Sequence, residues 1–571
     1  MSDDTNPFWA LFGSPESSPK QPAAKEESPF LGLFLDEAEE ESNKTETPNC
    51  ALNFDEQRVF WAMRDIPVSE ATKSFLISGA PGSGKTIGIQ LFLQSIAHRF
   101  KEYQTVPEQL IIFDAKGDIL PLLASMGLRP EDPNFHIFNP FDTRSSLWYL
   151  DEAVQMPAMA RALAKLLVPP DEKSSAPYFA EAASEVVYSV ILALNEIKRI
   201  KAKRWTLRDL LCALESPDHI RAVTAQHGYA ARHAAPYLND EKHYLAVISS
   251  IAAKIGRFDQ VAALWDANAI GDPFTVSTFL SRPGVLVLGN DPVLNDSMWP
   301  INAILLKAIT NEILRRPNTD GPRHWFVLDE FAAMGQVDCI QSLLNRGRSK
   351  GASVVLGIQT VEGMIKAYGE QGANDLLGMC AYKTFLRAGS HKSAEWAEHY
   401  FNRVRRMETS HSYSTGSGGN STSSQVQLHE RSMFLASTFM DLPFPEKGKT
   451  YEAICDVPTT GETIITTRDC DEVFIWTVKP HKCVPAIDEV KDEDVTTLSP
   501  WDKEEETIFG VSPARKARRA RAKDSRRTRK AKSKLAPDQT SQSDVDDDPA
   551  PNAEPPTKQS LAGIDDMLGV E

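Results

Sequence analysis

The chain has 571 residues, 42% hydrophobic and 25% charged, with a formal net charge of −16. Its longest apolar stretches, such as VVYSVILAL (186–194), fall far short of the roughly 20 residues a membrane-spanning helix needs, and the opening MSDDTNPF has no leader signature. Seven scattered cysteines with no C-x-x-C spacing argue against a disulfide framework or a zinc site, so the expectation is a cytoplasmic protein of two to four domains.

Taken in chain order, residues 1–50 are rich in Pro, Ser and Glu and read as a disordered acidic tail. Within them PFWALF (7–12) and PFLGLF (29–34) repeat one pattern, either by chance or as a duplicated docking motif stranded away from any core. From 74 to about 400 the pattern is α/β. Strand-like runs occur at 75–81, 110–117, 135–140, 284–291, 324–330, 353–360 and 381–389, mostly separated by helical periodicity, which predicts a mostly parallel sheet with helices on both faces. Residues 151–269 read as helices only and predict an all-α insertion between the two parts of the α/β domain, 51–150 and 270–485.

HSYSTGSGGNSTSS (411–424) has the composition of a flexible loop. Residues 449–478 alternate in a β-like way around the turn VPTTGE. From 486 to 571 the chain reads as a second polar tail. There RKARRARAKDSRRTRKAKSK (515–534) concentrates twelve basic residues and one acid, leaving −27 for the remainder. Arg515, Lys516, Arg518, Arg519, Arg521, Arg526, Arg527 and Arg529 could grip DNA phosphates without sequence preference, or the block is a solvated run balancing its acidic flanks. The terminal SLAGIDDMLGVE (560–571) is a second candidate docking segment.

GAPGSGKT (79–86) fits G-x-x-x-x-G-K-[ST], follows a predicted strand and precedes a helical run, the context this motif needs. Gly79, Gly82 and Gly84 let backbone N–H groups, including that of Ser83, turn toward phosphate oxygens at a helix N-terminus. Lys85 would reach the β- and γ-phosphates of ATP, and the Thr86 hydroxyl would sit on Mg²⁺. Downstream, WFVLDEFAAMG (325–335) ends an apolar strand in two adjacent carboxylates. Asp329 suits a Mg²⁺ ligand and Glu330 an activator of the attacking water, which points to hydrolysis. Gln359 ends the next strand, expected to neighbour that of Asp329, and could sense the γ-phosphate. Arg348, exposed between glycines in NRGRSKG (345–351), could stabilise transition-state charge across a subunit boundary.

Together these stretches resemble the type IV secretion coupling proteins, the TraD/TraG-like conjugative ATPases related to FtsK and HerA. The resemblance covers roughly residues 74–450. It also rests on LIIFDAKGDI, similar to the family's strand ending in D-x-K-G, and on FNPFDTRSSLWYLDE, similar to its N-P-x-D-x-R-S-x-x-W segment. LLNRGRSKGASVVLGIQT resembles the family's run from arginine finger to sensor glutamine, with Arg348 and Gln359 in those places. The resemblance implies a RecA-like P-loop ATPase core carrying an all-α domain. It also implies a hexameric ring driven by ATP and Mg²⁺ that threads DNA, with the P-loop of one subunit against Arg348 of the next.

The expected function is that of a coupling protein delivering relaxase-bound DNA to a secretion channel. Alternatives are an ATP-dependent receptor for protein cargo of the same channel and a soluble HerA-like translocase in DNA processing or defence. Many family members begin with transmembrane helices, where this sequence opens on an acidic tail. The expectation is therefore a soluble member, or one recruited to the inner membrane by a separate subunit.

Overall fold

Five apolar runs decide the architecture: QLIIFD, GVLVLG, HWFVL, ASVVLGI and FLIS are buried along their whole length. Strands that are apolar on both faces belong in the middle of a sheet covered on both sides. The computed structural model describes residues 56–511 apart from 170–176, 239–240, 268–272, 291–294, 402, 417–418 and 491–496. The two P-F-x-x-L-F segments, the basic block 515–534 and the segment 560–571 lie outside the described residues.

In chain order the strands are β1 (Arg58–Trp61), β2 (Arg64–Pro67), β3 (Phe75–Ser78), β4 (Gln109–Asp114), β5 (Phe135–Phe138), β6 (Gly284–Gly289) and β7 (His324–Leu328). They continue with β8 (Ala352–Ile358), β9 (Tyr382–Phe385), β10 (Arg403–Gly416), β11 (Gly419–Ser432), β12 (Thr450–Val457) and β13 (Glu462–Asp469). Nine of them form one sheet in the order β13-β12-β9-β3-β8-β7-β4-β6-β5. From β9 to β5 every pairing is parallel, while β12 joins β9, and β13 joins β12, in the antiparallel sense. All seven strand-like runs of the α/β region become sheet strands, and β8 lies between β3 and β7.

One face of the sheet packs a cluster containing Phe75, Phe92, Trp325, Tyr382 and Tyr451. The other face, with Leu76, Ile111, Phe138 and Phe326, shares its cluster with the helical segment. That segment contributes the helices Pro157–Leu167, Pro177–Lys201, Leu207–Leu214, Pro217–Thr224, Gly228–Leu238, Glu241–Ile255 and Asp259–Ala267. Its side chains Trp205, Leu210 and Val223 therefore belong to one core with the sheet.

Three expectations are corrected. The predicted flexible loop at 411–424 is part of a long antiparallel ribbon, β10 against β11, in register from Arg403↔Ser432 to Gly416↔Gly419. A strand ladder is made by backbone groups that every non-proline residue carries, so Ser and Gly do not forbid it. The β-like alternation after 449 stops at Asp469, because Cys470–Trp476 turns helical behind the Asp469 cap.

The second tail does not start at 486. Residues 478–490 run past the helices Lys85–Ile96 and Ile119–Ser125 to the turn after β5, and Lys503–Ile508 forms a helix with an Asp502/Glu505 capping box. Trp501 stacks on Phe509 with centroids 4.4 Å apart and donates its Nε1–H to Asp209 Oδ1 at 2.8 Å. Arg208 holds Glu505 at 3.0 Å and donates to the carbonyl of Ser499 at 2.9 Å. Burial of two large aromatic rings stabilises this docking by about 1.5–3 kcal/mol each. The described fold therefore continues to Val511.

Candidate functional site

In an open parallel sheet, loops at the carboxyl ends of the strands build the binding crevice. The ends of β3, β8, β7 and β4 meet there. After β3 the chain turns through Gly79–Gly84, with Gly82 and Gly84 at φ +76° and +94°, conformations that L side chains rarely adopt. A Cβ on Gly84 would come within 2.7 Å of the Tyr451 ring. The loop is pinned by Gly79 N–H donating to Ile358 O at 3.1 Å and Ala80 N–H donating to Arg387 O at 2.8 Å. Lys85 then opens the helix Lys85–Ile96.

Lys85 is only 5% exposed and reaches across to the end of β7. Its ammonium donates to Glu330 Oε2 at 2.8 Å and to the Asp329 carbonyl at 3.0 Å, and lies 3.5 Å from Asp329 Oδ1. Both carboxylates thus face the P-loop. Their position depends on Gly357 of β8, where a Cβ would overlap the Asp329 carbonyl at 2.0 Å. Gln359 follows β8, half-buried, at the same edge.

Arg348 is elsewhere. It lies in the short 3₁₀ turn Arg348–Lys350 that precedes β8, exposed at the amino end of the strand. The strand between them puts Arg348 on the order of 20 Å from Gln359. There Arg346, Arg348 and Lys350, with Asp320 as counter-charge, line an open cavity of about 900 Å³. The structure therefore brings together Gly79, Gly82, Ser83, Gly84, Lys85, Thr86, Asp329, Glu330 and Gln359, and leaves Arg348 out. Arg515 and the other basic-block residues lie outside the described residues.

The D-x-K-G turn joins the site without having been assigned a part in it. Asp114, at the end of β4, accepts from the N–H groups of Lys116 (3.3 Å), Gly117 (2.8 Å), Asp118 (3.3 Å) and Ile119 (3.1 Å). Burial nevertheless pushes its carboxyl up to about 6, and burial also raises that of Asp118. Lys116 leaves this turn toward Thr86 and Asp329. The signal was present in the motif itself, a lysine two residues beyond a strand-end acid, but its target lies on two other elements.

The NPFDTRS stretch has a structural role. Buried Asp142 takes both the Nε–H and an Nη2–H of Arg144, at 2.8 and 2.6 Å. This turn binds the segment 478–490, through Thr143 N–H to Asp488 O at 2.9 Å and Val490 N–H to Phe141 O at 3.2 Å. Ile487 of the segment packs 3.3 Å from where a Cβ on Gly117 would lie.

Whether these residues suit a nucleotide and Mg²⁺ can be tested on the site itself. Ser83 Oγ, in the loop, is a buried polar atom with no hydrogen-bond partner, and Asp329 Oδ1 has no hydrogen bond beyond its 3.5 Å ion pair with Lys85. Buried polar atoms left unpaired are costly unless a ligand completes them. With the inward-turned loop and Lys85, this donor and acceptor set fits a phosphate chain, and Thr86 with Asp329 fits the metal's oxygen ligands. The residues fit.

The sheet and the Gly79–Thr86 loop define a P-loop α/β protein. The chain belongs to the type IV secretion coupling proteins: residues 61–458 match the family model described as "Type IV secretion-system coupling protein DNA-binding domain". It is 23% identical over 362 residues to the coupling protein TraD of Escherichia coli, covering 62% of this chain and 47% of that protein. It is 21% identical over 350 residues to the coupling protein VirD4 of Bartonella quintana, covering 58% and 54%. The chain thus spans about half the length of the curated relatives it matches. The fold is that of the conjugative coupling protein TrwB. The unbound form matches with a TM-score of 0.58 at 17% identity over 76% of this chain and 91% of that one. The TrwB complex with ADP and Mg²⁺ matches with a TM-score of 0.57 at 16% identity over 76% and 92%. Among the described residues, no helix is long and apolar enough to cross a membrane.

Proposed function

We propose that this coupling protein is an ATP-driven DNA translocase that delivers relaxase-bound DNA to a type IV secretion channel. The observation that carries the reading is the second carboxylate, Glu330, held 2.8 Å from Lys85 at the end of β7. A site for nucleotide binding alone needs Asp329 but has no use for Glu330. When ATP draws Lys85 onto its phosphates, Glu330 is released to orient the attacking water and accept its proton. Thr86 and Asp329 would hold Mg²⁺, which when bound would neutralise phosphate charge. Gln359 contacts the γ-phosphate from the end of β8.

Arg348, exposed at the other edge of the sheet, serves the site of a neighbouring copy, so turnover requires a ring, a hexamer by family resemblance. The basic block 515–534 grips DNA backbone, and a P-F-x-x-L-F segment docks a separate membrane subunit. The reading is supported by the family model's description as a DNA-binding domain and by the ADP–Mg²⁺ and ATP-analogue complexes of TrwB.

The test is steady-state ATP hydrolysis without DNA, with single-stranded DNA and with duplex DNA. Stimulation by either DNA supports the translocase. A rate indifferent to DNA but raised by protein cargo would replace it with the cargo-receptor reading.

A further inference from the structure

Lys116 carries an inference that reaches beyond the P-loop and the carboxylate pair. Its ammonium donates to Thr86 Oγ1 at 3.0 Å and lies 3.5 Å from Asp329 Oδ2. These are the two side chains whose oxygens fit the metal. The ammonium therefore sits between the two side chains that would hold Mg²⁺. Its presence there is built into the fold: four backbone N–H groups on Asp114 fix the turn, Gly117 supplies its positive φ of +75°, and Ile487 backs it from behind. Asp118 adds a third carboxylate nearby. A small cavity of about 20 Å³, walled mostly by apolar side chains such as Leu93, Leu122 and Met126, also includes Thr86, Asp114, Asp118 and Asp329 in its lining. At 38% exposure the lysine side chain is free enough to leave.

We infer that Lys116 is a placeholder cation, held between Thr86 and Asp329 until the divalent metal arrives and competing with the metal for that place. The ammonium neutralises Asp329 and Asp118, which otherwise repel each other, and it must withdraw when the metal arrives. Two cations cannot share that place, so part of the metal's binding free energy is spent displacing the lysine. Removing the lysine should tighten metal binding, the opposite of what a phosphate-gripping or purely structural lysine would do.

The inference rests on the nucleotide–metal reading of the site, and the experiment separates the two. Mn²⁺, standing in for Mg²⁺, is titrated into full-length protein with ADP, and free Mn²⁺ is followed by its electron paramagnetic resonance signal. Lys116→Met, which keeps chain length and loses charge, should bind Mn²⁺ about three- to fivefold more tightly in the ADP complex, the scale of losing one half-exposed charge contact. The same variant should melt at a lower temperature than wild type in EDTA without nucleotide. Lys116→Arg should keep the wild-type metal affinity to within about twofold, since it retains the charge. Unchanged or weaker Mn²⁺ binding by Lys116→Met overturns the placeholder, as does Lys116→Arg behaving like Lys116→Met. If wild-type protein binds neither ADP nor Mn²⁺, the reading beneath it falls, and the placeholder with it.

Discussion

The two ends of the central strands handle positive charge in opposite ways. At the carboxyl end, Lys85 and Lys116 are matched to Glu330 and Asp329 by contacts of 2.8–3.5 Å. At the amino end, Arg346, Arg348 and Lys350 line an open cavity with Asp320 as the acid there. The first end pairs its charges within one chain; the second displays them to solvent. On the proposed function, a site divided in this way would tie chemistry to assembly, because Arg348 of one copy would serve the site of another.

The sharpest break of that contrast is Lys85→Ala. It should abolish hydrolysis and weaken ATP binding by about 100-fold or more, because the phosphates lose their buried cation; isothermal titration gives the affinity. Arg348→Ala should lower kcat by about 10³-fold in the assembled ring while leaving ATP affinity within about twofold. Mixing it with Lys85→Ala protein should restore part of the rate, since each variant supplies what the other lacks. If Arg348→Ala weakened ATP binding as strongly as Lys85→Ala, the two ends would not be separate. Glu330→Gln should reduce kcat by about 10²-fold or more and leave an ATP-loaded protein, visible as retained nucleotide after gel filtration.

Acid should move the two ends in opposite directions. Burial holds the Asp114 carboxyl at about 6, above its ordinary 3.8, so between these values the folded state carries the extra proton and stability rises as pH falls. His324, at the amino end of β7, is pushed down by burial to about 3 from 6.5, so the unfolded state carries the extra proton and stability is lost as pH falls through that window. Urea titrations from pH 7 to 4 should therefore show a loss that His324→Gln reduces and Asp114→Asn enlarges, each by a few kcal/mol at most.

The carboxyl end was largely legible in the sequence, because its chemistry is local. A loop that turns N–H groups inward needs glycines at fixed spacing, and a buried strand that ends in two acids announces them. Arg348 was legible as exposed for the same reason, its glycine neighbours. Lys116 was not, since its meaning depends on Thr86 and Asp329 arriving from two other elements. The ribbon β10–β11 was hidden by Ser and Gly, which report side-chain chemistry while the ladder is made by backbone. The docking of Trp501 onto Asp209 joins residues 292 apart, and no local period records such a partner. For Lys116 and Trp501 the deciding contact was remote in sequence, whereas in the ribbon it was local but made by backbone.

The segment 478–490 carries that remoteness into the life of the polypeptide on the ribosome. The P-loop helix finds partners for Gln90 and Gln94 at Val478 and Trp476, and Arg144 meets Pro485 341 residues later. Ile487 reaches the Gly117 turn later still. Chains fold as they emerge, amino end first. A nascent chain that has already made its P-loop and its carboxylate pair therefore still lacks the backing of both the first helix and the lysine turn. Competence at this site arrives with the last part of the described fold, and a chain cut short before residue 478 would expose the loop without the support that holds it in shape.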